Sequence, residues 1–191
     1  SGDGYRPITG GSVDIKESTL DFVVDNDKNH YDARGITSEN LTVSDSTVDL
    51  TVNTADSGTF GIYGASISIS GDKTAVTVTV TNNKSNAIES MTGSIIISDG
   101  AKVTAKATGK DSSGIYAPKG EVRISGEDTV VTADGTLAAI RASSDTIVID
   151  SPLAILEPAG GKIGPDEITD IWEIYDLTGI WEGDPVKIQA S

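Results

Sequence analysis

A dipeptide of glycine or alanine followed by isoleucine recurs along the chain at an almost constant interval. The five copies are Gly35-Ile36, Gly61-Ile62, Ala87-Ile88, Gly114-Ile115 and Ala139-Ile140. Successive isoleucines are separated by 26, 26, 27 and 25 residues. A fixed period of this length is the signature of a repeat architecture.

Two further ladders of apolar residues run in register with the first. The second has an apolar–x–apolar pattern, and in most copies Ser and then Gly or Asp follow, which form tight corners. Its members are Val13/Ile15, Leu41/Val43, Ile67/Ile69, Ile95/Ile97, Val122/Ile124 and Ile147/Ile149. The third ladder alternates apolar and polar residues, as a half-buried strand does. It starts at Val48, Val76, Val103 and Val131.

Three short strands in a period of about 26 residues predict an all-β fold, a single-stranded parallel β-helix (β-solenoid). We expect about six to seven coils with rungs ~4.8 Å apart, in the right-handed sense of parallel crossovers. A β-propeller blade needs about 40 residues. A β-sandwich, the alternative, shows short strands without ladders in register. The low aromatic content, 5% of residues, favours the thin core of a solenoid.

The ladders also predict the organisation of the chain. We assign residues 1–10 to an N-terminal tail, 11–163 to the coils, and 164–191 to a C-terminal cap in the same domain, because the open ends of a solenoid need covering. Val186 and Ile188 repeat the second-ladder pattern, which predicts a seventh and final rung. The first, incomplete coil is expected to point five apolar residues inward: Val13, Ile15, Leu20, Phe22 and Val24.

The cap segment contains both tryptophans, Trp172 and Trp181, and Tyr175. Pro165 followed by apolar residues at helical spacing fits a short helix, and a strand through Trp172 fits equally well. In either form the segment is expected to close the end of the solenoid.

The charge of the chain limits its partners. Its formal net charge is −15, from 29 acidic and 14 basic residues. Nucleic acids and anionic membranes require clustered Lys and Arg, so neither is an expected partner, and no apolar run is long enough to insert in a membrane. The chain has no cysteine, which excludes disulfides and thiol chemistry. We expect an exported protein, extracellular or at the cell surface, whose export signal lies outside this sequence.

The outward residues of the first ladder form the candidate binding site. Tyr63, Glu89, Tyr116 and Arg141 follow one another on successive coils, which places the two tyrosines ~10 Å apart. Exposed aromatic rings stack on sugars, and carboxylate and guanidinium groups bind hydroxyls or acidic sugars. The column therefore predicts carbohydrate binding. The alternative is a solvated face, in which tyrosine is simply a good strand residue.

A metal site has weak support. Asp25 and Asp27 open the loop "DNDKNHYD" like a calcium loop, but His30 and Ile36 occupy positions where an EF-hand needs Gly and a bidentate acid. A looser calcium site of Asp25, Asp27 and Asp32 is the remaining hypothesis. No other cofactor is expected.

Catalysis is not expected. His30 is the only histidine and lies in that polar loop. Glycoside hydrolysis uses a pair of carboxyl residues, and the outward column has one, Glu89. A lyase needs a base beside a calcium–carboxylate cluster, but Arg123 and Arg141 lie on different predicted faces. An ice-binding column of Thr-x-Thr occurs only once, at Thr77 and Thr79.

The units "GIYGASISISGDKTAVTVTV" and "GIYAPKGEVRISGEDTVVTADG" and the tail "GGKIG…IYDLTGIW…VKIQ" resemble β-helical surface proteins of Gram-positive and gut bacteria. Many of those are carbohydrate-binding β-helix domains, of the type that binds cellulose and acidic sugars. The resemblance covers roughly residues 11–190. It implies a non-enzymatic surface module with a polysaccharide or a host or cell-wall glycan as its partner. Two alternatives are a structural or adhesive stalk, with end-to-end or side-by-side self-association, and a polysaccharide lyase-like enzyme.

Overall fold

The structure, a computed structural model, describes residues 6–26, 33–54, 58–142, 147–150, 155–158, 162–163, 179–181 and 186–189. Within these ranges the chain forms eighteen β-strands and no helix. The strands are β1 (Ile8–Lys16), β2 (Thr19–Asn26), β3 (Arg34–Ser44), β4 (Thr47–Thr54), β5 (Phe60–Ser70), β6 (Ala75–Val80), β7 (Asn86–Ser90), β8 (Ile95–Ser98), β9 (Lys102–Ala107), β10 (Ser113–Ala117), β11 (Val122–Ser125), β12 (Val130–Gly135), β13 (Ala138–Ala142), β14 (Ile147–Asp150), β15 (Ile155–Pro158), β16 (Lys162–Ile163), β17 (Gly179–Trp181) and β18 (Val186–Gln189).

The strands wind into a parallel β-solenoid of about five turns. A sheet of eleven strands contains the first and second ladders, and a sheet of seven strands contains the third. From β1 to β14, strands of successive coils pair in parallel, so that each ladder residue lies opposite its counterpart. Ile36 pairs with Ile62, for example, and Val48 pairs with Val76. The predicted all-β parallel solenoid is therefore confirmed.

The number of coils and of strands per coil differs from the prediction. In β3 a single strand carries both the first and the second ladder, because Leu41 follows only five positions after Ile36. Ile95 follows seven positions after Ile88, and the two extra residues form a corner that divides β7 from β8. The early coils consequently have two strands and the later coils have three.

The three ladders form the core. The five first-ladder isoleucines are fully buried, at 0% exposed. Complete burial of an isoleucine side chain contributes about 1.5–3 kcal/mol, so each added rung stabilises the stack. The inward residues of the first coil also contact this core: Ile15 and Val24 are buried, and Val13, Leu20 and Phe22 are partly buried against it.

Lack of space explains the glycine that precedes many of these isoleucines. A Cβ atom on Gly35 would lie 2.4 Å from Leu50 Cδ2, and one on Gly61 would lie 2.1 Å from Val78 Cγ1. Third-ladder side chains already fill this space, so only a minimal side chain fits. The Gly/Ala–Ile dipeptide thus indicates a thin core, in which third-ladder side chains reach the backbone of the first ladder.

The corners after the second ladder have the predicted geometry. Asp45, Gly71, Asp99 and Gly126 follow the serine of each copy, and all four have positive φ, at 46°, 100°, 56° and 87°. Glycine and aspartate tolerate this left-handed backbone better than most residues. Each corner turns the chain from the first sheet towards the second.

The N-terminal boundary differs from the prediction. Strand β1 begins at Ile8, and Ile8 pairs with Ile36 as the first member of the first ladder. The prediction of a tail for residues 1–10 is therefore wrong for residues 8–10. Ile8 follows a proline rather than glycine or alanine, so the dipeptide pattern did not reveal it.

The C-terminal strands depart further from the prediction. Val186 and Ile188 do not continue the parallel second ladder; β18 pairs antiparallel with β12 and β15 in the second sheet. Strand β17 likewise pairs antiparallel with β13 and β16. Backbone groups at the end of a parallel stack need partners, and here antiparallel strands supply them. Trp172 and Tyr175 lie outside the described residues.

Replacing Gly61 by alanine should destabilise the fold by about 1–3 kcal/mol, because the new methyl group overpacks the core against Val78. Gly11→Ala is the matched control, since its Cβ would meet no atom closer than 3.9 Å, and it should change stability by less than about 0.5 kcal/mol. Urea unfolding of the three proteins measures both values. Equal stability of the two variants would contradict a core of this thickness.

Candidate functional site

The structure brings the predicted column together. Thr37, Tyr63, Glu89, Tyr116 and Arg141 occupy directly opposed positions on five successive parallel strands. Parallel strands are ~4.8 Å apart, which places the two tyrosines ~10 Å apart with the glutamate between them. The regular register of the inward ladders thus produces an equally regular outward row.

Tyr63 lies in a cluster that the ladders did not reveal. The Arg34 guanidinium is stacked 3.7 Å from the centroid of its ring, and Phe60 contacts the ring at 4.9 Å between centroids, tilted by 46°. The Tyr63 hydroxyl donates a hydrogen bond to Met91 Sδ at 2.8 Å. One face of the ring is therefore covered by a cation, and a ligand approaching from that side would meet the guanidinium.

Strict alternation along the strand misplaces Arg34. Counting back from the inward Ile36 predicts that Gly35 faces out and Arg34 faces in. In the structure Gly35 and Ile36 are both buried and Arg34 is partly exposed. A glycine has no side chain to orient, so periodicity alone carries no information at this step; Phe60, opposite Arg34 on β5, was missed for the same reason.

A second arginine–tyrosine pair lies farther along the row. The Arg141 guanidinium is 4.8 Å from the centroid of the Tyr116 ring, within the range of a cation–π interaction. Each tyrosine of the row thus has a guanidinium over its ring, Arg34 at Tyr63 and Arg141 at Tyr116, although Arg34 itself lies opposite Phe60 and outside the row. Positive charge flanks a central carboxyl group.

That carboxyl group is buried. Glu89 is 9% exposed, and its Oε2 accepts a hydrogen bond of 2.6 Å from Asn86 Nδ2. Burial raises the pKa of Glu89 above its ordinary value of 4.5, and the Asn86 hydrogen bond and the charge of Arg34 partly oppose that rise. The Glu89 side chain therefore packs beneath the row and does not project from the surface.

A groove runs beside Tyr63. Its volume is about 340 Å³, and it crosses four successive coils. The residues that line it include Gly10, Thr37, Ser38, Tyr63, Gly64 and Met91. Gly10, Ser38 and Gly64 are directly opposed on β1, β3 and β5. Because the residues of this column have little or no side chain, a groove remains along the solenoid axis.

The structure describes only one of the three residues of the calcium hypothesis. Asp25 lies exposed on β2, and its Oδ1 accepts a 3.5 Å hydrogen bond from Asn53 Nδ2. Asp27, His30 and Asp32 lie outside the described residues. Among the residues that the structure does describe, no group of three or more His, Cys, Asp or Glu side chains could hold a metal ion.

Two further findings concern the chain as a whole. Over its described ranges, no helix is sufficiently long and apolar to cross a membrane. No protein-family model, curated protein or solved structure matches the chain. The function of the chain is therefore inferred from the residues of the outward row and the groove.

Glu89→Gln should make the fold less sensitive to pH. A carboxyl group whose pKa is raised on folding stabilises the protein fully below its ordinary pKa of 4.5 and loses that contribution as the pH rises through the folded-state pKa. Relative to wild type, the variant should therefore gain stability between pH 4 and pH 7. Urea unfolding at both pH values measures the change.

Glu39→Gln is the control for that measurement, because Glu39 is an exposed carboxyl residue on β3 and its replacement removes the same formal charge. It should show no comparable gain. A Glu89→Gln variant whose stability relative to wild type is the same at both pH values would contradict the burial of a costly charge at this position.

Proposed function

We propose that the chain is a non-enzymatic carbohydrate-binding module that holds an extended polysaccharide, cellulose-like or acidic, along the outward row of its first ladder. The observation that carries the proposal is the alignment of Tyr63, Glu89, Tyr116 and Arg141 on adjacent parallel strands. Tyr63, Tyr116 and Arg141 present groups that recognise sugars in a straight, rigid row, and the buried Glu89 lies between the two tyrosines.

The spacing of the row suits a linear polymer. Tyr63 and Tyr116 are two rungs apart, ~10 Å, which is comparable to the length of a disaccharide unit in an extended chain. Each tyrosine has a guanidinium over its ring. A guanidinium presents several N–H donors in one plane, so each arginine–tyrosine pair offers hydrogen bonds and an aromatic surface together.

The residues of the row favour binding over catalysis. Hydrolysis of a glycosidic bond uses two carboxyl groups on either side of it. The row has one carboxyl residue, and Glu89 is buried under its neighbours at 9% exposed. A single carboxyl residue held against an amide and near an arginine is suited to supporting a binding surface.

The wider properties of the chain support an extracellular setting. Its net charge is −15, which favours solubility over adhesion to nucleic acids or anionic membranes. The resemblance of its repeats to bacterial β-helical surface proteins supports a place at the cell surface. Its partner would then be a polysaccharide of the host or of a cell wall.

A pull-down on insoluble and charged polysaccharides tests the proposal. The double variant Tyr63→Ala/Tyr116→Ala should be retained about tenfold less than wild type, because two aromatic contacts of about 0.5–1.5 kcal/mol each are lost. Val23→Ala is the control, since Val23 is 63% exposed on the second sheet, and its retention should equal that of wild type.

Two other results of the pull-down are informative. Loss of binding in EDTA would identify a calcium requirement and direct attention to Asp25, Asp27 and Asp32. If no polysaccharide retains the wild type, the proposal is wrong, and a structural or adhesive stalk is the better description of this solenoid.

A further inference from the structure

The groove beside Tyr63 contains two buried hydroxyl groups without partners. Neither Thr37 Oγ1 nor Ser38 Oγ makes a hydrogen bond within the part of the chain that the structure describes, and Ser38 is only 6% exposed. A buried hydroxyl group without a partner costs about 1–3 kcal/mol. Both residues line the groove, so a molecule in the groove can offset that cost.

The equivalent serine elsewhere shows that the lack of a partner is local. Ser38, Gly64 and Ser90 are directly opposed on β3, β5 and β7. The Ser90 hydroxyl has two backbone acceptors, Ala65 O at 2.8 Å and Gly93 O at 2.6 Å. The same residue type in the same column thus has hydrogen-bond partners at Ser90 and, among the described residues, none at Ser38.

The opposed neighbours of Ser38 offer its hydroxyl no side-chain partner. Gly10 and Gly64 lie opposite it on either side, and neither has a side chain that could hydrogen-bond to its hydroxyl. A hydroxyl both donates and accepts, so its natural partner is another hydroxyl group.

We propose that this groove is the subsite for a neutral sugar segment, which lies along the solenoid axis and hydrogen-bonds to Thr37 and Ser38. The inference rests on the proposed function and identifies the class of glycan. The groove crosses four coils and is therefore ~14 Å long, enough for two to three sugar units. Its volume of about 340 Å³ falls within the range of ligand sites.

The charges around the groove select a neutral ligand. Arg34 and Glu39 both line it, so a cation and a carboxylate are present together. The charge of Arg34 is also engaged by Glu89, whose pKa it lowers, and by the Tyr63 ring. The net charge of −15 repels an anionic polymer over a longer range. A neutral β-glucan avoids that repulsion and still satisfies the hydroxyls.

Two variants test the groove by calorimetric titration with cellotriose, a soluble neutral trisaccharide, and with trigalacturonate, its charged counterpart. Ser38→Ala should weaken cellotriose binding about three- to tenfold, the effect of one lost hydrogen bond. Ala65→Leu, which enlarges a residue that lines the groove, should abolish it. Wild type should bind trigalacturonate more weakly than cellotriose.

Thermal unfolding of the free protein separates a binding role of Ser38 from a structural one. Ser38→Ala should leave the melting temperature unchanged or higher, because it removes an unsatisfied hydroxyl. Ser90→Ala, the matched control in the same column, should lower the melting temperature because it removes a satisfied one. A Ser38→Ala variant that melts lower and binds cellotriose as wild type does would overturn the inference.

The failure of the groove and that of the outward row are distinguishable. If polysaccharide retains the wild type and Ala65→Leu alike, or if trigalacturonate binds better than cellotriose, the groove inference is wrong and the row stands. If the wild type binds no polysaccharide and no trisaccharide, both are wrong.

Discussion

The rest of the structure depends on one constraint, which is the lack of space in the core at each Gly/Ala–Ile dipeptide. The core is so thin that a Cβ on Gly61 would collide with Val78 of the third ladder. Each coil must therefore place its smallest residue and its isoleucine at the same height as the coil before. Since side chains alternate across a strand, a fixed inward register also fixes the outward one. The row from Tyr63 to Arg141 is a consequence of core packing.

Much of this architecture follows from the sequence because parallel stacking repeats the same environment in every coil. The buried ladders and the outward row come from a single period. The number of strands per coil does not, because it depends on corner length. The strand is continuous where four residues lie between Ile36 and Leu41, and it is divided where six lie between Ile88 and Ile95. Strand direction is also absent from the pattern, so Val186 and Ile188 resemble a parallel rung although they pair antiparallel.

The site was predicted only in part, for a related reason. Periodicity identifies which residues face outward, and it found both tyrosines. It could not find Arg34, whose outward position depends on Gly35 facing inward, nor the burial of Glu89 against Asn86. Periodicity also gave no sign of the groove, which arises because Gly10, Ser38 and Gly64 have little or no side chain. Contacts between neighbouring columns depend on side-chain size and are visible only once the coils are stacked.

The most direct test of the central claim is the affinity of the wild-type protein for neutral gluco-oligosaccharides of increasing length, measured by calorimetric titration. A ligand that lies along the stacked coils gains contacts with every rung that it covers. Affinity should rise with each added unit until the ligand spans the row from Thr37 to Arg141, ~19 Å over four rung spacings, and should then remain constant. Affinity that is independent of length, or no binding at any length, would contradict a binding surface built along the solenoid axis.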